Sequence, residues 1–111
     1  MADEAPDAAH APLASGRVLR IGCAALVAGV APSAGGRIAQ ITYEGVPQLV
    51  GPDDGHPGAI AWGCYPMVPW AGRVRNGRFS FHGHPHTLTP NLGAHAIHGV
   101  GFAMPWQVEL H

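Results

Sequence analysis

Apolar and polar positions alternate with a period of two in several short runs, and glycine or proline closes almost every run. Arg17-Val-Leu-Arg-Ile-Gly22 predicts a first strand and residues 24–30 a second. Pro32-Ser-Ala-Gly-Gly36 supplies turn chemistry before a third strand over residues 37–43. Glu44-Gly45 turns the chain into a short run, residues 46–50, where Pro47 suits a sheet edge. Residues 51–58 form a loop rich in Gly, Pro and Asp, and residues 59–63 lead as an apolar, strand-like segment into the middle of the chain. Residues 78–82 alternate again, with Phe79 and Phe81 on the face expected to be core. A turn at Gly83 returns the chain as a strand over residues 86–89, Pro90-Asn-Leu-Gly93 breaks it, and residues 106–110 predict a last strand. No window carries a helical period, so the expected class is all-β.

The chain has 111 residues, which bounds it to at most one domain, with roughly two-thirds of its unfolded surface buried. Residues 1–14, rich in Ala, Pro and acid, read as a flexible tail, and residues 15–111 as the folded part. Hydrophobic residues make up 47%, enough for a core, whereas charged residues make up only 12% and lysine is absent. A net charge of -1 offers no field for a phosphate backbone or an anionic lipid surface, so nucleic acid and membrane are not expected partners. The uncharged run 21–36 is broken by glycines and Pro32, short of the ~18 apolar residues of a spanning helix. The acidic N-terminus lacks the basic lead of a signal peptide, and the expected location is cytoplasmic. Cys23 and Cys64 could form one disulfide, but their apolar surroundings favour buried, reduced thiols.

Candidate chemistry concentrates between Gly63 and Gly99. Two prolines, Pro66 and Pro69, precede Trp70; Arg73 follows; a hairpin comes next; and a loop then offers His95 and His98. Arg73 brings a permanent cation with a planar fork of donors, suited to paired hydroxyl oxygens or, equally, to a surface acid. His98 brings an imidazole next to Gly99, whose lack of Cβ lets backbone pass close by. His95 could share that loop's role, or both histidines could be satisfied by backbone groups. Trp70 suits stacking on the apolar face of a ligand or, equally, filling the core, and Trp106 suits the core. His82, His84 and His86 have the spacing of a metal-binding strand face, but Gly83 and Pro85 point to an exposed hairpin tip, and no metal is assigned.

These residues resemble the N-terminal half of the aldose 1-epimerase (galactose mutarotase) family. The resemblance rests on Tyr65-Pro66-Met67-Val68-Pro69-Trp70, Arg73-Val74, Gly77-Arg78-Phe79-Ser80-Phe81, His98-Gly99 and Pro105-Trp106. It departs at Gly72, where the family pattern has asparagine. The resemblance implies a large antiparallel β-sandwich, the galactose mutarotase-like supersandwich, of which these residues form the opening part. A sandwich cut here leaves inner faces and strand edges uncovered, so an incomplete domain or a chain that pairs with something is expected. It also implies a hexose as the small-molecule partner and no cofactor. Substrate binding would fall to Arg73, His98, Trp70 and His95.

Mutarotation needs a base for the anomeric hydroxyl and an acid for the ring oxygen. The resemblance places these groups, a glutamate and a further histidine, downstream of the residues present, so no catalytic residue is assigned here. Two other expectations follow from the same fold. One is a non-catalytic carbohydrate-binding protein, which the glycine at 72 would suit. The other is epimerisation of a phosphorylated hexose, for which Arg75 and Arg78 are the available cations. Oligomeric state does not follow from the sequence.

Overall fold

The computed structural model describes residues 7–109. Four strands, β1 (Leu19–Cys23), β2 (Leu26–Ala31), β3 (Arg37–Tyr43) and β4 (Val46–Pro47), form an antiparallel meander in that spatial order. The β3–β4 turn needs positive φ at both central positions, and Glu44 (50°) and Gly45 (79°) supply it, a backbone twist that matches paired strands. A register shift at Gly29/Val30 inserts one extra residue in β3, so Ile38 rather than Ala39 faces Val30. Ile38 continues the row through a bridge to Cys64. Directly opposed residues share a face, so Cys23, Leu26, Tyr43 and Val46 line up across the sheet.

Two smaller pairs complete the ladders: β5 (Arg73–Val74) with β8 (Ala96–Ile97), and β6 (Arg78–Phe81) with β7 (His84–Thr87). Single 3-10 turns occupy Arg75–Gly77 and Gly101–Ala103. No α-helix occurs among the described residues, and none is long and apolar enough to cross a membrane. The fold is all-β, as the alternation predicts.

The core is small and gathers on the inner side of the β2–β3 turn. Trp62 is buried against Ala31, Ala34 and Ala39, with Leu13 packed on the cluster. Arg37 lies at its centre with no exposed surface. Its guanidinium donates from Nε to the Ala34 carbonyl at 2.7 Å, from Nη1 to Trp62 at 2.7 Å and from Nη2 to Phe102 at 2.6 Å. The cation also sits 4.4 Å from the Trp62 ring centre and 4.8 Å from that of Tyr65. Burial lowers the Arg37 pKa below its ordinary value, and the neighbouring Tyr65 opposes that shift. Three short bonds to carbonyls and two π faces thus replace the water and the carboxylate that a buried guanidinium otherwise requires.

Several expectations are corrected. Residues 7–14, expected as flexible tail, are docked: Ala9 is fully buried, and the segment exchanges backbone bonds with Pro57, Ala59, Ile60 and Asn91. Small side chains allow that close backbone approach; residues 1–6 of the expected tail lie outside the described residues. Residues 59–63 form bends and a turn rather than a strand, and Trp106–Glu109 join no ladder. Phe79 and Phe81 are exposed, because no other layer covers the β6–β7 hairpin; each contacts a histidine, Phe79 stacking on His86 at 5.0 Å. Both cysteines are free and exposed, since the sheet face that carries them is uncovered. Trp106 is also exposed, although its Nε1 donates to Gly101 at 2.9 Å.

Two stability experiments follow. Arg37→Met keeps the bulk but leaves three carbonyls without a charged donor, so unfolding in urea is expected to lose at least about 3 kcal/mol, against under about 0.5 for the exposed Arg20→Met. Burial also pushes the Tyr65 phenol above its ordinary value of 10.0, with Arg37 pulling it back. The folded chain therefore holds this proton more tightly than the unfolded chain. The resulting stability is complete below about pH 10 and is lost as pH rises beyond it. Tyr65→Phe is expected to flatten the alkaline limb of stability against pH.

Candidate functional site

The site is built on the short β5–β8 pair, whose register sets Arg73 opposite Ile97 and Val74 opposite Ala96. One residue further, Gly72 and His98 are joined twice. The His98 amide donates to the Gly72 carbonyl at 3.0 Å, and the Gly72 amide donates to His98 Nδ1 at 3.0 Å. His95 repeats the second contact at the other end, its Nδ1 accepting from the Asn76 amide at 3.0 Å. The two histidines, three residues apart, therefore grip residues 72 and 76 and hold the intervening Arg73-Val74-Arg75 between them.

These contacts fix the chemistry of both rings. A neutral imidazole whose Nδ1 accepts carries its proton on Nε2, so each ring keeps one N–H donor beyond the backbone contact. Tyr65 packs 6.2 Å from the His98 ring centre and 5.7 Å from Phe102, connecting the histidine to the aromatic surroundings of Arg37.

His98 adopts φ 59°, a left-handed conformation uncommon for a residue with a side chain. Neighbouring bonds hold it there. Asn91, buried in the same loop, donates to the Ile97 carbonyl at 3.0 Å and the Gly99 carbonyl at 3.3 Å, and accepts from the Ile97 amide at 2.7 Å. The Val68 carbonyl, next to the cis Val68–Pro69 bond, accepts from Val100 at 2.8 Å and Gly101 at 3.1 Å. Gly99 passes so close that a Cβ there would overlap the Val68 carbonyl oxygen.

Of the predicted site residues, Arg73 thus lies in β5, and His95 and His98 flank its partner β8. Arg73 is exposed and forms no ion pair with a described carboxylate. Trp70 is half-buried just before the pair, with its Nε1 enclosed and without an acceptor. A cavity of about 460 Å³ beside the Val68 carbonyl is walled by Val68, Pro69, Val100, Met104 and Trp106 rather than by these polar groups. Three of the five described carboxylates serve elsewhere: Glu44 in a turn, Asp54 on the Gly51 amide, and Asp7 on the Gly93 amide. No group of three or more His, Cys, Asp or Glu among the described residues is arranged to hold a metal ion. His82 forms the hairpin turn with Gly83, while His84 and His86 lie in β7. Asn91 escaped the sequence reading because it looked like a strand breaker.

An all-β chain with an arginine-bearing strand bracketed by two histidines is the class of protein defined by this fold and geometry. Residues 18–111 match the aldose 1-epimerase family, and the chain belongs to it. It is similar to the uncharacterized protein YphB of Escherichia coli K12, with 42% identity over 50 residues, 43% of this chain and 17% of that protein. Among solved structures it resembles a candidate aldose 1-epimerase from Escherichia coli K12. There the TM-score is 0.73 and the identity 30%, over 86% of this chain and 33% of that one. The chain therefore spans about a third of that structure and about a sixth of YphB.

The loop packing yields a paired test. Gly72 and Gly99 both have positive φ, 80° and 75°, but a Cβ at 72 meets nothing within 4 Å. Gly72→Ala is expected to cost only the conformational strain, about 1–2 kcal/mol. Gly99→Ala must in addition displace the Val68 backbone, so its melting temperature is expected to fall well below that of Gly72→Ala.

Proposed function

We propose that these residues form the sugar-gripping part of an aldose 1-epimerase that interconverts the α and β anomers of a hexose. The observation that supports this reading most is the pair of Nδ1 contacts from His95 and His98 to the backbone on either side of Arg73. They hold a guanidinium-bearing strand in place and leave an Nε2–H donor on each ring. Such a set offers donors alone, which complements the lone pairs of hydroxyl and ring oxygens. Trp70 adds an aromatic surface for the apolar side of a pyranose.

In mutarotation a base removes the anomeric hydroxyl proton while an acid protonates the ring oxygen, and the C1–O5 bond breaks. The aldehyde rotates about C1–C2, and O5 adds back to its other face with the two protons returned. Arg73 and His98 would keep the remaining hydroxyls fixed through ring opening, so the rotation occurs without loss of the sugar. The base and the acid would come from polypeptide beyond these residues. Proton transfer suffices for this chemistry and calls for no cofactor. Cytoplasmic location belongs to the same proposal.

A second reading, a non-catalytic carbohydrate-binding protein on the same fold, draws on Gly72, which leaves open space where the family pattern carries asparagine. A histidine and a glutamate in a longer reading frame would favour the enzyme.

Saturation-transfer NMR with glucose and galactose is expected to show binding by this chain. Arg73→Ala is expected to weaken it by roughly tenfold or more, the loss of a charged hydrogen bond, with little change in melting temperature. Polarimetry with fresh α-glucose is expected to show no acceleration by the 111 residues alone. Rapid interconversion by this chain would contradict the division between gripping and proton-transfer groups, and absence of any sugar signal would remove the reading.

A further inference from the structure

The β5–β8 ladder is short, pairing only Arg73 with Ile97 and Val74 with Ala96. Beyond it, an imidazole fixes each end of the arginine strand. The Gly72 amide bonds to His98 Nδ1 and the Asn76 amide to His95 Nδ1, both at 3.0 Å. A ring nitrogen accepts only while its lone pair is free, so both contacts require neutral rings. Protonation puts an N–H on Nδ1 opposite an amide N–H, donor against donor. Turning the ring over does not restore the bond, because it brings Cδ2–H to the same place.

The charged groups around the rings act in the same direction. Arg73 and Arg75, both exposed, lie on the segment between the two contacts. Tyr65 is the titratable group packed on His98, and its phenol, raised above 10.0 by burial, stays neutral through the imidazole range. Asp7 is bonded to the histidine loop at the Gly93 amide, but it lies 4.0 Å from His10 and pairs with neither ring. No described carboxylate forms an ion pair with His95 or His98. Protonating both rings therefore adds two positive charges near two guanidiniums, without a paired anion among the described residues. An ordinary imidazole gains its proton near pH ~6.5, which sets the change in mild acid.

We propose that His95 and His98 form a proton-operated clasp: neutral, they pin the Arg73 strand at both ends, and protonated, they release it. Two amide contacts are exchanged for donor–donor repulsion and for like charge beside Arg73 and Arg75, while the Arg37 bonds stay in place. This change in backbone order stands whether or not the ligand is a sugar. Its consequence, a weaker grip on a hexose in mild acid, rests on the reading of Arg73 given above.

Amide exchange of the ¹⁵N-labelled chain between about pH 8 and about pH 5 spans the imidazole transition and tests the clasp. Protection of Gly72 and Asn76, taken relative to the intrinsic rate at each pH, is expected to fall about tenfold on acidification, the loss of one hydrogen bond each. The Ile38 amide, bonded to the Cys64 carbonyl at 2.8 Å, is expected to stay protected, which separates release from unfolding. Asparagine offers an acceptor near the Nδ1 position that does not titrate, and it tolerates the φ of 59° at position 98. His98→Asn is therefore expected to remove the pH dependence at Gly72 alone, and His95→Asn that at Asn76 alone. Long-range ¹H–¹⁵N spectra need no variant: at about pH 8 both neutral rings are expected to carry their proton on Nε2. Four results would each overturn the proposal: constant protection of Gly72 and Asn76, its loss together with that of Ile38, unchanged pH dependence in both asparagine variants, or a proton on Nδ1 of the neutral rings. Acid-dependent release in a chain that binds no glucose at either pH would uphold the clasp and remove only the sugar reading.

Discussion

The structure depends on one buried guanidinium. Arg37 begins β3, yet its side chain bonds to carbonyls at positions 34, 62 and 102, joining the β2–β3 turn, the loop before the central prolines and the 3-10 turn after the histidine loop. A hydrocarbon core of three alanines and one tryptophan, with Leu13 against it, cannot hold such distant segments by area alone. Three charge-assisted bonds can, and they have directions. With no carboxylate in the arrangement, the cation is stabilised by oriented peptide dipoles and by the faces of Trp62 and Tyr65. Removing those acceptors would leave a buried charge, so the segments are obliged to arrive together.

The candidate site inherits its order from that node. Tyr65 contacts the Arg37 cation on one side and approaches His98 on the other, and Phe102 both lends its carbonyl to Arg37 and packs against Tyr65. Beyond this aromatic group, Asn91 and the Val68 carbonyl fix the loop that turns at His98. The two imidazoles then act on backbone rather than on each other, setting where Arg73 leaves its strand. The exposed polar groups of the candidate site are thereby placed on buried, directional contacts, which is the arrangement that keeps such groups in position without a large core.

Much of the fold was legible. Period-two alternation and the turn residues located β1, β2, β3 and the β6–β7 hairpin to within a few residues, and the ordered motifs around Pro66, Pro69, Arg73 and His98 pointed to the family. What failed to show was tertiary. Arg37 looks like the polar start of a strand, since the carbonyls that hold it are up to 65 residues away. Asn91 looks like a breaker, because its partners at 97 and 99 become neighbours only when the loop closes. Phe79, Phe81, Cys23 and Cys64 have the neighbours of core residues, but alternation identifies a face fit for burial and not the layer that buries it. The roles of His95 and His98 as acceptors for backbone amides are equally invisible without the register of β5 and β8.

The Arg37 side chain is locked to three carbonyls in a dry interior, and this lock organises the site. Solvent exchange of the arginine Nε protons, followed by ¹⁵N-edited NMR, tests it most directly. Arg37 Nε–H is expected to persist long after the Nε protons of exposed Arg73 and Arg75 have exchanged. Exchange of the Arg37 proton as fast as theirs would mean that the guanidinium is solvated and that the segments are held together by something else.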